Sequence, residues 1–232
     1  MDKSKLKAAL KKTWNFIWND NSIWSWLVNI ILAFIIIKFM VYPALGFAFQ
    51  TTHPIVAVVS GSMEHKTVHP CVMMNSLNPA NCLKYDSSSY EICGELFSSR
   101  QKVDLDFFWD TCGAWYSQNN ITRSQFSAMG FRNGFNKGDI MVLYGTKPEK
   151  IKIGDVIVFT GYMQEPIIHR VVKITQDEGK YYFQTKGDHN KISYEFEQDI
   201  PEDDYIGRAV VRVPLLGYVK IIFVELINLI LR

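Results

Sequence analysis

Cysteine is absent before position 71 and after position 112, and the first sixty residues hold only two acids, Asp2 and Asp20. Neither charge dominates: 25 Lys and Arg stand against 23 Asp and Glu in 232 residues. That balance argues against the strongly basic surface by which proteins hold nucleic acid. The four cysteines, Cys71, Cys82, Cys93 and Cys112, include no Cys-x-x-Cys pair, so they match no zinc ribbon. They permit three disulfide pairings, among which sequence does not choose, and free buried thiols are the other reading. Histidine is scarce as well, with five in the chain. The length fits one sizeable soluble core plus membrane pieces.

Long apolar runs are few, and the clearest covers 23–42, interrupted mainly by Asn29 and Lys38. About twenty residues of helix cross a hydrocarbon core, so a transmembrane helix is expected there. Lys38 lies near its far end, where a long side chain snorkels to the interface. Trp14, Trp18, Trp24 and Trp26 cluster at the near end, as indole rings do among headgroups. Lys3, Lys5, Lys7, Lys11 and Lys12 precede the run and favour a cytoplasmic N-terminus over 1–22. Residues from about Phe47 would then face outward. Ala44-Leu45-Gly46 offers a small-x-small cleavage site, but the run exceeds the about 7–15 residues of a signal-peptide core, so an uncleaved anchor is expected.

Beyond the anchor the pattern becomes β-rich. Strands are expected over Ile55 to Val59, Asp139 to Tyr144, Asp155 to Phe159, Ile167 to Ile174, Tyr181 to Thr185 and Ile206 to Val213. Gly-Asp pairs at 138–139, 154–155 and 187–188 punctuate them. An insertion over 65–137 carries all four cysteines, and its portion from Val103 to Met129 reads as short helices. Asn120-Ile121-Thr122 is a formal N-glycosylation acceptor. The tail 215–232 is apolar apart from a stripe of Lys220, Glu225 and Asn228, which fits an interfacial or membrane-inserted helix. The expected fold class is therefore mainly β, with 47–214 as an extracytoplasmic domain between an N-terminal transmembrane helix and a C-terminal apolar helix.

Ser60-Gly61-Ser62-Met63 places a serine on a small-residue turn shortly after the membrane run. Serine chemistry on an amide needs a base for the hydroxyl proton, an orienter for that base and donors for the oxyanion. Of the histidines, His169 alone lies inside a β-rich run, Pro166 to Val172, where rigid backbone can hold its ring. A structural histidine is the plainer reading of it taken alone. Asp188 sits where a strand end opens into the turn Lys186-Gly187-Asp188-His189-Asn190, and taken alone it is a turn residue.

In order, Ser60-Gly61-Ser62-Met63-Glu64, the Gly154-Asp155 strand leading to His169-Arg170-Val171, and Lys186-Gly187-Asp188-His189-Asn190 resemble the motifs of type I signal peptidases of the archaeal and endoplasmic-reticulum branch. With Gly207-Arg208 and Pro214-Leu215-Leu216-Gly217, the resemblance covers roughly 55–64 and 138–217. It implies a signal-peptidase-like β catalytic domain with Ser62 as nucleophile and His169 as general base. Ser60 and the Ser62 N–H would stabilise the oxyanion, and Asp188 would orient the imidazole. Relatives with a lysine base carry it where His169 stands, so Lys173 or Lys186 would have to substitute in a Ser-Lys site. Histidine titrates near ~6.5 and is largely neutral at pH 7, whereas lysine needs strong desolvation to serve.

The chain departs from the family in two places. A second acid six residues after the first is replaced by Tyr194, with Glu195 next to it as the reserve acid and Asp199 more remote. Proline after Ser-Gly-Ser-Met-Glu is replaced by His65, which reads as the start of an exposed linker. His65, His69 and Cys71 are potential metal ligands, but no metal or organic cofactor is expected.

The resemblance implies removal of signal peptides from secretory preproteins after small residues at −3 and −1. The implied partners are preproteins, the lipid bilayer and membrane subunits or export machinery, with no nucleic acid. The implied place is a cell or endoplasmic-reticulum membrane, crossed once or twice. A catalytically silent tethered β domain that binds exported proteins is the alternative of a different class.

Overall fold

A computed structural model describes residues 3–74, 82–161, 166–219 and 221–222. The chain splits into two compact units, Met1–Ala48 and Phe49–Arg232. The first unit is helical. Helix α1 covers Lys3–Trp18, α2 covers Ile23–Ile36, a π-helical turn follows over Ile37–Val41, and α3 runs over Tyr42–Phe49. Ser22 caps α2 by accepting the Ser25 N–H. The last carbonyls of α1 lack partners within their own helix, and α2 supplies donors to two of them. Ser25 Oγ donates to Phe16 O at 2.5 Å and Asn29 Nδ2 to Ile17 O at 2.8 Å. Asn29, a polar break in the apolar run, is thus spent on joining the two helices.

The π turn has its cause in Pro43, which has no N–H and whose ring crowds the preceding turn. The widened turn lets the Tyr42 N–H reach back to Ile37 O. Lys38 lies over the rings of Phe34 and Phe39, at 5.9 and 5.5 Å. Helix continues unbroken over Ile23–Phe49, 27 mostly apolar residues whose large apolar side chains are mainly exposed. At ~1.5 Å per residue this is about 40 Å, enough to cross a hydrocarbon core of about 30 Å. The helix outruns the expected end at Tyr42 and stops at Gln50, whose φ of 54° leaves the helical region.

The second unit begins with β1 (Ile55–Ala57) and then the insertion. The insertion holds two hairpins, β2 (Cys71–Met74) with β3 (Cys82–Tyr85) and β4 (Tyr90–Ile92) with β5 (Glu95–Phe97). Helices α4 (Leu105–Gln118) and α5 (Arg123–Ala128) follow where short helices were expected. Asp104 caps α4, and Thr122 with Gln125 forms a capping box on α5. Then come β6 (Ile140–Tyr144), β7 (Val156–Phe159), β8 (Ile167–Asp177), β9 (Lys180–Lys186), β10 (Ile200–Pro201) and β11 (Tyr205–Val213).

Seven of these strands form one sheet in the order β1-β6-β11-β7-β8-β9-β10, antiparallel at every step. The six strands expected from sequence are all in it. The fold is mainly β, as expected, with its longer helices, among the described residues, in the N-terminal segment and the insertion. Strand β7 is buried along its whole length: Val156 and Val158 pack with Met63, Met141 and Leu143, and Ile157 and Phe159 with Val171 and Phe183. The insertion has its own core of Ile92, Phe108, Tyr116, Ile121 and Phe126, which closes on Val172 of β8. Disulfides Cys71–Cys82 and Cys93–Cys112 select one of the three pairings. Most of the expected tail helix at 215–232 lies outside the described residues; helical backbone begins at Tyr218.

Candidate active site

Ser62 sits in a tight turn just after β1. The Glu64 N–H closes the turn on Gly61 O at 3.0 Å, and the neighbouring Met63 is buried in the core, at 1% exposure. Glu64 is buried too, accepting from the Lys137 N–H and from Lys66 Nζ, each at 2.9 Å. The turn is therefore anchored on both sides of a half-buried serine.

Side chains alternate across a strand, so His169 and Arg170 of β8 leave opposite faces. His169 lies opposite Ile157 of the fully buried β7, which holds its backbone rigidly. The Ser62 hydroxyl lies 2.8 Å from His169 Nε2. On the other side of the ring, Nδ1–H donates to Glu197 Oε1 in a very short contact. Because Glu197 accepts at Nδ1, the neutral ring carries its proton there and leaves Nε2 free to accept from Ser62. Ser60 Oγ stands 3.2 Å from Ser62 Oγ, within reach of charge developing beside the nucleophile.

Glu197 is fully buried at the end of a short 3-10 turn, Glu195–Glu197. Thr185 Oγ1 donates to Oε1 at 3.2 Å and the Tyr194 N–H to Oε2 at 3.0 Å. These contacts correct the expected acid. Asp188 does not meet His169, and Glu195, on the same turn as Glu197, is exposed. Asp199 is exposed as well. No local pattern marks Glu197 in the sequence; its carboxylate is folded back over the turn to the Tyr194 N–H only in the structure.

Asp188 is committed elsewhere. Arg170 donates to both of its oxygens, from Nε at 2.8 Å and Nη2 at 2.7 Å. Tyr116 OH adds a bond to Oδ1 at 2.9 Å, and His65 Nε2 one to Oδ2 at 3.0 Å. Burial alone would raise the Asp188 pKa, but the Arg170 charge and these hydrogen bonds hold it well below the usual carboxylate range. Burial, and then the Asp188 charge, push the Tyr116 hydroxyl well above its usual value, so it stays a donor.

The 187–190 turn lies against the reacting groups. His189 N–H donates to Ser62 O at 2.8 Å. A Cβ on Gly187 would stand 2.8 Å from both His169 Nε2 and Ser62 O, so only glycine permits this approach. Lys186 points away: Nζ donates to Gly187 O and Asp188 O and lies over the rings of Trp115 and Tyr116. Lys173 is exposed. Neither lysine supplies a base to Ser62.

His65, His69 and Cys71 go three separate ways. His65 stacks on Phe108 with ring centroids 3.7 Å apart, and its side chain is 5% exposed, which corrects its reading as the start of an exposed linker. His69 meets Ser89 O at 2.8 Å, and Cys71 is disulfide-bonded.

No protein-family model matches the chain. Among curated proteins, 123 residues are 30% identical to the signal peptidase complex catalytic subunit SEC11 of Scheffersomyces stipitis, covering 48% of this chain and 74% of that one. The chain belongs to the SEC11 signal peptidase catalytic-subunit family. It is also 35% identical over 95 residues to human SEC11C, which is 38% of this chain, and 32% identical over 98 residues to SEC11 of Clavispora lusitaniae. The chain spans about half the length of the mammalian SEC11C proteins it matches, 50%. These matches cover less than half of this SEC11-family chain, 38–48%.

Proposed function

We propose that the protein is a membrane-anchored serine endopeptidase that removes signal peptides from secretory preproteins. The observation that carries this reading is the continuous chain Ser62 Oγ, His169 Nε2, His169 Nδ1, Glu197 Oε1. His169 takes the hydroxyl proton as Ser62 attacks the scissile carbonyl and returns it to the departing amine. Glu197 fixes the tautomer and offsets the imidazolium charge that forms. Ser60 Oγ and the Ser62 N–H face the oxyanion. Water, deprotonated by His169, then attacks the Ser62 ester and His169 returns the proton to Ser62 Oγ, so the hydrolysis balances without a metal or organic cofactor. Preproteins are supported as substrates by the SEC11 relatives, which are catalytic subunits of a signal peptidase complex. Partner subunits of the same membrane complex follow from that description.

Among the described residues, strand β1, which ends three residues before Ser60, pairs with β6 on one edge and with no strand on the other. An extended substrate adds to that edge by main-chain hydrogen bonds, and small residues at −3 and −1 fit alternate positions along it. In this reading the lysine-rich α1 stays cytoplasmic and the β domain faces the lumen or exterior, where its disulfides persist.

The test is cleavage of a preprotein by the purified full chain in lipid nanodiscs. Cutting at the signal junction is expected, with loss in Ser62→Ala and in His169→Ala. Undiminished cleavage by either variant would sink the mechanism, and a wild-type protein that binds preprotein without cutting it would favour the silent alternative.

A further inference from the structure

We infer that the insertion is part of the catalytic apparatus, with Tyr116 and His65 acting as positioning residues that clamp the 187–190 turn onto Ser62 and His169. The inference rests on the peptidase reading. Its foundation is the way Asp188 is satisfied. The carboxylate is wholly buried and accepts four hydrogen bonds, two at each oxygen. Arg170, next in sequence to His169, supplies two of them, and the insertion supplies the other two. A buried carboxylate and guanidinium repay their desolvation only when the remaining lone pairs find donors. The ion pair behind the active site is therefore completed by Tyr116 and His65.

The insertion grips the same turn a second time, through the backbone. The Cys93 N–H donates to His189 O at 3.0 Å, while His189 N–H holds Ser62 O. The Cys93–Cys112 disulfide ties this grip to α4, and Cys112 lies one turn before Tyr116 on that helix. His65 brings in the chain that has just left Ser62 and is stacked on Phe108 of α4. Arg170 lies over Phe126 of α5, 5.2 Å from the ring centroid. Contacts from α4 and the β4–β5 hairpin thus converge on one turn, α5 supports its Arg170 partner, and that turn touches both reacting groups.

Near-attack geometry tolerates little slack, a displacement of about 1 Å costing on the order of a hundredfold in rate. Loosening the clamp should lower kcat. It should leave KM nearly unchanged, because both side chains act through Asp188, whereas substrate is proposed to lie along the free edge of β1.

The experiment uses the full chain in nanodiscs with a preprotein substrate, comparing Tyr116→Phe, His65→Leu and His65→Gln with the surface control Arg123→Gln. Assays run well below each variant's melting temperature, with the folded fraction measured alongside. Tyr116→Phe and His65→Leu are expected to lose about tenfold to a hundredfold in kcat, with KM within about twofold. His65→Gln, whose amide can still donate to Asp188, is expected to recover most of the loss. Hydrogen exchange at 187–190 should quicken in the same two variants. A Tyr116→Phe enzyme with unchanged kcat, or losses that track only the folded fraction, would overturn the inference. Exchange at 187–190 tests the clamp even if the wild type proves inactive: unchanged exchange overturns the clamp, whereas an inactive wild type with faster exchange in the variants overturns only the peptidase reading.

Discussion

Glu197 and Asp188 are both wholly buried carboxylates, yet they answer to different partners and should fail differently. Glu197→Gln keeps its shape and its Tyr194 contact but cannot hold the imidazole proton as an anion does. Kinetic assays should show kcat falling by about 10²- to 10⁴-fold with the melting temperature largely kept. Asp188→Asn instead strands the Arg170 charge, and thermal melts should register a loss of about 3–5 kcal/mol. Lys186 offers a pH test. Burial lowers its pKa to about 8, against 10.5 in the unfolded chain, so between those values the unfolded state binds more protons and stability rises with pH. Below pH 8 the buried charge costs roughly 3 kcal/mol. Lys186→Met should remove that rise, which melts taken from pH 7 to pH 10 would show; an equal rise in both proteins would contradict it. Ser62 and His169 were legible from sequence because their motifs are local and ordered. Glu197 was not, since its place at His169 depends on how β8, β9 and the 3-10 turn are packed, and no local pattern separates it from Glu195 two positions away.

Helix α4 is the element on which the insertion turns. One face carries Phe108, Cys112 and Tyr116 into the insertion core, and the disulfide fastens it to the β4–β5 hairpin across 19 residues of chain. Closing a loop of that size stabilises by about 3 kcal/mol, so a Cys93→Ala, Cys112→Ala double variant should melt at a markedly lower temperature. Equal melting of wild type and variant would show that packing alone holds α4. The strands of the large sheet could be read from β-branched runs between Gly-Asp turns, and α4 and α5 from their pattern. Strand β10 could not, being two residues long and ending in Pro201, and the insertion hairpins have strands too short for alternation to show. The helix runs on to Phe49, past the end of the apolar run at Tyr42, because the π turn lets the helix accommodate Pro43.

At the scale of the whole molecule, the domain is built on one sheet whose edge strands are its shortest, with the candidate site at the corner where β1, β8 and the 187–190 turn meet. The order of strands is not the order of sequence: β1 pairs with β6 across the whole insertion, and β11 inserts between β6 and β7. The sequence showed which segments become strands but left this order open, because pairing is set by contacts between distant segments. Ser62 and His169 are separated by 107 residues, and Glu197 follows His169 by 28 more. At a synthesis rate of about 5–20 residues per second, the nucleophile leaves the ribosome on the order of ten seconds before its base and acid exist. In the proposed role of cutting secretory chains, the protein is thus born disarmed, and it becomes armed only when its own last strands have closed the sheet.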